Sequence, residues 1–288
     1  MGNRSMRVAV AVGLLVALAA CGDADRSGQS EHTEALSFDA VVGEEPFLCD
    51  RAYQGFGAGD HTVRITDLRL YIHDIELIDA NGDRHSVDIV DDERWQHAEV
   101  ALLDFTDGEG YCENTPAEGN DVVEIDVDDV ELDSTQALAF SIGVPFEINH
   151  NDVSTAPSPL NIPAMFWNWN AGYKFLRVDI ESDDSAFRFH LGSTRCLPDA
   201  DGGVESCEYP NRPRVVVDEF SVGNDSVRID IGRLFDATDI GDSPEETPAG
   251  CMATADDPDC QELFEQLGLT EDTSVVETGV FEAVSGGL

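Results

Sequence analysis

The chain has 288 residues, 42% of them hydrophobic, with 16 Lys+Arg against 59 Asp+Glu and a formal net charge of −43. That length and apolar content suffice for one large core or two small ones, and the charge excludes nucleic acid as a partner, whose phosphates would be repelled. The acid excess reads first as a solvated surface and only second as a specific cation-binding role.

Arg4 and Arg7 precede an apolar run from Val8 to Ala20, the layout of a secretory signal over residues 1–20. The run is too short to span a bilayer. Its end, LAAC at Leu18 to Cys21, resembles a bacterial lipobox, so Cys21 is the expected lipidated first residue of the mature chain. Gly22 after it, where an aspartate would argue for inner-membrane retention, points to the outer membrane, facing the periplasm or the cell surface. Residues 21–35 lack apolar periodicity and read as a flexible tether. Residues 36–288 remain as one β domain.

Within that domain LRLYIHDIELI (68–78), NGD and RHSVDIV predict a hairpin, because Asn-Gly supplies the positive φ angles of a tight turn. ALAFSIGVPF, YKFLRVDIES, SAFRFHLGS, RVVVDEFSVG and SVRIDIGRLF continue in apolar alternation. Only DPDCQELFEQLG has a helix signature, with Asp259 as N-cap and Gly268 as stop. The expected class is mostly β: a β-sandwich or irregular barrel with long disulfide-pinned loops and a short C-terminal helix. Without Cys21, six cysteines remain of seven, an even number that suits disulfides in an oxidising compartment. Cys196 with Cys207 and Cys251 with Cys260 each bracket one loop, leaving Cys49 for Cys112. A zinc site is the weaker alternative, since no Cys-x-x-Cys occurs.

No G-x-S-x-G, H-E-x-x-H, G-x-G-x-x-G or P-loop is present. DADGG at 199–203 offers acidic oxygens near a turn and leaves calcium as a minor possibility. The informative stretch is AMFWNWNAGYKF (164–175), with two of three tryptophans and the only lysine. In an extended segment Met165, Trp167 and Trp169 share one face while Phe166 and Asn168 point away. A thioether suits Cu(I), and imidazole accepts copper in either oxidation state. His190 is the first candidate partner, because the SDDS turn pairs its strand with the one leading back to the tryptophans; His150 is second and His73 third. No two histidines sit at i, i+2 or i+4, and by residues alone an aromatic core strand with structural histidines competes with copper.

The run GVPFEINHND, APSPLN, AMFWNWNAGYKFLRVDI, FRFHLGSTRC (143–196), with ALLDFTDGEGYC, PNRPRV and PAGCMATADDPDCQELFEQLGL, strongly resembles the MbnP-like family, the four-Cys proteins of the metallo-mystery pair. The resemblance implies a non-enzymatic copper-binding protein of the periplasm or cell surface, paired with a diheme cytochrome c peroxidase of the MbnH or MauG-like type. It further implies that the partner oxidises Trp167 to kynurenine, on which copper binding depends, with Met165 and a histidine, assigned to His190, as ligands, while Trp169 stays intact. Six mature cysteines exceed the four of the family name. Two other readings stand beside it: a carbohydrate-binding surface lipoprotein stacking sugars on Trp167 and Trp169, and a calcium-stabilised structural module.

Overall fold

The computed structural model describes residues 32–128, 130–200, 202–244, 247–269 and 279–286, together with Gly2. The signal, Cys21 and most of the tether lie outside the described residues. The first strand, Thr33–Val42, begins within the stretch read as tether. Among the described residues no helix is long and apolar enough to cross a membrane.

Alternating apolar residues build two open sheets that face each other. One runs in the order Phe281–Ser285, Asp225–Asp230, Thr33–Val42, Val122–Asp126, Asp88–Ile89, with a parallel pair between Thr33–Val42 and Asp225–Asp230. The other is organised on the long strand His61–Asp79. The inner faces meet through Phe140, which sits edge-on to Phe38 and Phe281 at 5.8 Å from each, the sandwich form of the expected fold. The predicted hairpin is present: Gly82 takes φ +85° in the turn between His61–Asp79 and Arg84–Ser86, and Asp79 Oδ1 accepts the N–H groups of Asn81 and Asp83.

One edge of the long strand carries the feature that positions the site. Residues 79 to 72 pair with Thr135–Ile142, and residues 70 to 63 pair with Leu176–Ser182, both antiparallel. These partners form one line interrupted at Tyr71, whose carbonyl accepts the Gly143 N–H (2.8 Å) and whose N–H donates to the Phe175 carbonyl (2.8 Å). The chain between 143 and 175 leaves that line and returns to it. It folds over the outer face, where the Tyr71 hydroxyl donates to Pro159 O (2.9 Å) and its ring meets Tyr173 edge-on.

Three disulfides join Cys49 to Cys112, Cys196 to Cys207 and Cys251 to Cys260, as the loop bracketing predicts. The C-terminal helix spans Gln261–Gln266 directly after a 3-10 turn Pro258–Cys260, and Asp259 caps neither: the Asp257 side chain caps the turn by accepting the Asp259 N–H, and Cys260 stands at the helix N-cap with no side-chain bond, because Pro258 already starts the turn before Asp259. The run SVRIDIGRLF is a strand only to Asp230; there the Asp230 side chain accepts the Arg233 N–H and caps the short helix Ile231–Leu234.

The Cys49–Cys112 bridge closes a span of 63 residues. Replacing both cysteines by alanine is expected to lower unfolding free energy by about 4 kcal/mol, mainly by releasing the unfolded chain. Urea unfolding of the oxidised protein and the double variant measures it; equal midpoints would contradict it.

Candidate metal centre

On the outer face of the second sheet, directly paired positions run Asp104, Arg69, Arg177, His190 across four strands. Strand alternation puts such residues toward water, but the 143–175 excursion covers them. Arg69, Asp67, Asp179 and His190 are all buried. Their charges are matched: Arg69 Nε donates to Asp67 Oδ1 (2.7 Å), Arg177 Nη1 lies 3.1 Å from Asp67 Oδ2, and Arg177 Nη2 donates to Asp179 Oδ2 (2.6 Å).

His190 closes this network with Nε2 2.7 Å from Asp179 Oδ1. Burial alone would raise the Asp179 pKa, yet hydrogen bonds from His190 and Arg177 and the Arg177 charge hold it well below the usual carboxylate range. Asp179 is therefore an acceptor, and Nε2 carries the proton. Burial pushes His190 below its ordinary value despite the opposing Asp179 contact, so the ring is neutral at pH 7. Nδ1 is left with a lone pair and takes no hydrogen-bond partner among the described residues. A carboxylate on the far nitrogen is the arrangement that orients a metal-ligating histidine.

The excursion carries the other candidate donor. Pro163–Met165 is a 3-10 turn, Phe166–Asn168 and Gly172–Tyr173 form a small hairpin, and Met165 is fully buried. The Lys174 N–H donates to Met165 O (2.8 Å), while Lys174 Nζ (2.9 Å) and Arg177 Nη1 (3.1 Å) both hold Ala164 O. Burial, with Arg177 nearby, lowers Lys174 to about 8. Met165 is thereby tied to Arg177, the cross-strand partner of His190. Trp167 rests its benzo edge on Gly192, two residues beyond His190; a Cβ there would lie 2.5 Å from Trp167 Cζ3. A thioether and a neutral imidazole are donors that suit copper, and these residues fit such an ion.

One expectation is corrected, and the other candidate residues have neighbours of their own. Met165, Trp167 and Trp169 do not share one face: Met165 ends a 3-10 turn, the two-residue repeat lasts only from Phe166 to Asn168, and Trp169 sits in the turn, 53% exposed. His150 has other neighbours than His190. Its Nδ1 lies 3.2 Å from Trp169 O, and its Nε2 lies 3.8 Å from Cys207 Sγ of the Cys196–Cys207 bridge. His73 stands among Arg212, Arg214, Asp74 and Glu147; burial first, then Arg212, lowers it to about 4. At 199–203, Asp199 Oδ1 accepts the Gly203 N–H (2.7 Å), Asp201 lies outside the described residues, and no three carboxylates converge among the described residues.

Asp179, Arg177 and Gly192 have no local sequence signal as site residues, being ordinary strand and turn types. Met252 neighbours His190 through the chain: the His190 N–H donates to the carbonyl of Cys251 (3.0 Å).

His73 generates a pH prediction. Its native pKa is depressed from 6.5 to about 4, so the stability tied to its neutral form is present above pH 6.5 and lost as pH falls toward 4. His73→Leu is expected to flatten that limb by on the order of 2–3 kcal/mol between pH 7 and 4. Urea unfolding at both pH values in the two proteins is the check, and parallel losses would remove His73 from the explanation.

The MbnP family model matches residues 31–253. The solved structure of MbnP from Methylosinus trichosporium superposes with a TM-score of 0.75 at 27% identity, covering 89% of this chain and 99% of that one. No curated protein matches. With the family match spanning well over half the sequence and the sandwich shared along nearly the whole of the solved relative, the chain belongs to the MbnP family.

Proposed function

We propose that this protein is a copper-binding lipoprotein of the cell envelope that acts in copper homeostasis and is not an enzyme. Cys21 anchors it by lipid to the outer membrane, facing the periplasm or the surface. A diheme peroxidase of the MbnH or MauG-like type matures it by converting Trp167 to kynurenine, and the centre then binds Cu(I) through Met165 and His190. The observation that carries this reading is the His190–Asp179 contact at 2.7 Å, which leaves the opposite ring nitrogen without a hydrogen-bond partner among the described residues.

Each residue has a defined task. Asp179 fixes the ring and its tautomer, Arg177 keeps Asp179 ionised, and Lys174 with Arg177 holds the carbonyl before Met165. Gly192 leaves room for the indole edge. Opening the pyrrole ring of Trp167 replaces an apolar edge by an aryl amine and a ketone, groups able to hydrogen-bond in a site already short of water. Copper contributes affinity for soft sulfur and imidazole donors. The sugar-platform reading is disfavoured by the same geometry, since Trp167 packs on Gly192 while Trp169 projects to solvent.

Peptide mass spectrometry across 165–174, on protein made with and without a diheme peroxidase and combined with metal analysis, tests the reading. Kynurenine at Trp167 only with the partner, together with about one copper, is expected. Met165→Ala and His190→Ala are each expected to lower copper content with the fold intact by circular dichroism. Full loading in both variants would sink the ligand assignment.

A further inference from the structure

The second cluster on the W-x-W hairpin has its own chemistry. Cys196 and Cys207 are directly opposed residues of the two-stranded ribbon Thr194–Pro198 and Val204–Tyr209. His150 is aimed at their bridge, and one ring nitrogen and the two sulfurs all lie within 4.8 Å of one another. The ring is oriented as a ligand. Its Nδ1–H donates to Trp169 O (3.2 Å), and the Asn149 amide donates to Nε2 (3.2 Å), so Nε2 carries the lone pair on the side of the sulfurs. Asn149, fully buried, is itself fixed by accepting the Tyr173 N–H at Oδ1 (3.1 Å).

Access separates this bridge from the other two. Cys112, Cys251 and Cys260 are fully buried and Cys49 nearly so, whereas Cys207 is half-buried and Cys196 is 8% exposed. A thiolate attacks the disulfide it can reach.

We propose that Cys196, Cys207 and His150 form a second Cu(I) site that is closed while the bridge is oxidised and opens when a dithiol reduces it. In that exchange the S–S bond breaks and the dithiol gives up two electrons and two protons, becoming a disulfide itself. Cys196 and Cys207 take them up as thiols. Cu(I) then displaces both protons and takes the place of the Asn149 amide on the Nε2 lone pair, so that it is held by two soft thiolates and the imidazole Nε2. The site uses neither Trp167 nor His190, so it stands or falls independently of the centre proposed above. It is mechanically joined to the same hairpin, because His150 holds Trp169 O and the Asn170 amide donates to Cys196 O (3.2 Å).

The test uses the full chain under anaerobic conditions, either oxidised or treated with dithiothreitol and desalted, with thiol alkylation and peptide mapping to locate the reduced cysteines. Each sample is titrated with Cu(I) in competition with bicinchoninate. Label confined to Cys196 and Cys207 is expected, with about one further Cu(I) bound and a near-ultraviolet thiolate-to-copper band. Cys196→Ser/Cys207→Ser removes that increment, His150→Ala weakens it roughly tenfold or more, and His190→Ala leaves it unchanged. If the double serine variant fails to fold, His150→Gln, which keeps both cysteines and is reduced in the same way, is expected to show the same weakening as His150→Ala. Equal copper uptake by oxidised and selectively reduced protein would overturn the proposal, as would reduction of Cys49–Cys112 or Cys251–Cys260 ahead of this pair.

Discussion

The backbone of Tyr71 is the constraint on which the site depends. Its carbonyl and its N–H hold Gly143 and Phe175, so the excursion leaves and rejoins a strand line at one residue. A long loop whose ends are fixed side by side on a rigid strand carries little extra closure cost for its length. The same residue also supports the interior of the loop, through its hydroxyl to Pro159 O and its ring against Tyr173, whose own hydroxyl donates to Leu160 O (2.7 Å). Two tyrosines thus act as pillars between the sheet and the segment above it. Functional side chains on this loop gain the precision of the sheet beneath them.

What the loop covers explains the electrostatics. Asp67, Arg69, Arg177, Asp179 and His190 would face water on an uncovered sheet; covered, each must be paired, because an unpaired buried charge costs several kcal/mol. The pairing is continuous from Arg69 to His190, so removing one member strands its neighbour. The chain's only lysine belongs to the same layer: it spends its ammonium on the Ala164 carbonyl, not on a surface carboxylate. Acidic residues dominate the composition, but the covered layer is rich in guanidinium. The overall charge therefore says little about the field at His190.

This layering also decides what the sequence reveals. The strands, the Asn-Gly hairpin, the cysteine pairing and the C-terminal helix are written in local pattern and were legible. So was the pairing of Leu176–Ser182 with Ala186–Leu191 that makes His190 the first candidate. Period-two reading assigns Asp67, Arg69 and Asp179 to solvent, because nothing local announces that a distant segment covers them. Alternation misplaces Met165 on its face because Pro163 starts a 3-10 turn that breaks the repeat, and the sequence ranks His150 without its neighbours because its bond to Trp169 O is a contact between loops.

Selectivity of the proposed copper centre follows from the same surroundings. A strongly acidic surface gathers calcium and magnesium without discrimination, and hard divalent ions prefer carboxylate oxygens. At His190 the carboxylates are already engaged: both Asp179 oxygens face His190 and Arg177, and Lys174 and Arg188 stand close by. A hard dication would meet ammonium and guanidinium groups with no free oxygen to offset them. A soft monovalent ion feels half that repulsion and gains from sulfur and imidazole, donors that a hard ion does not prefer. The buried cations therefore do more than neutralise Asp67 and Asp179: they turn away the ions that the rest of the surface attracts.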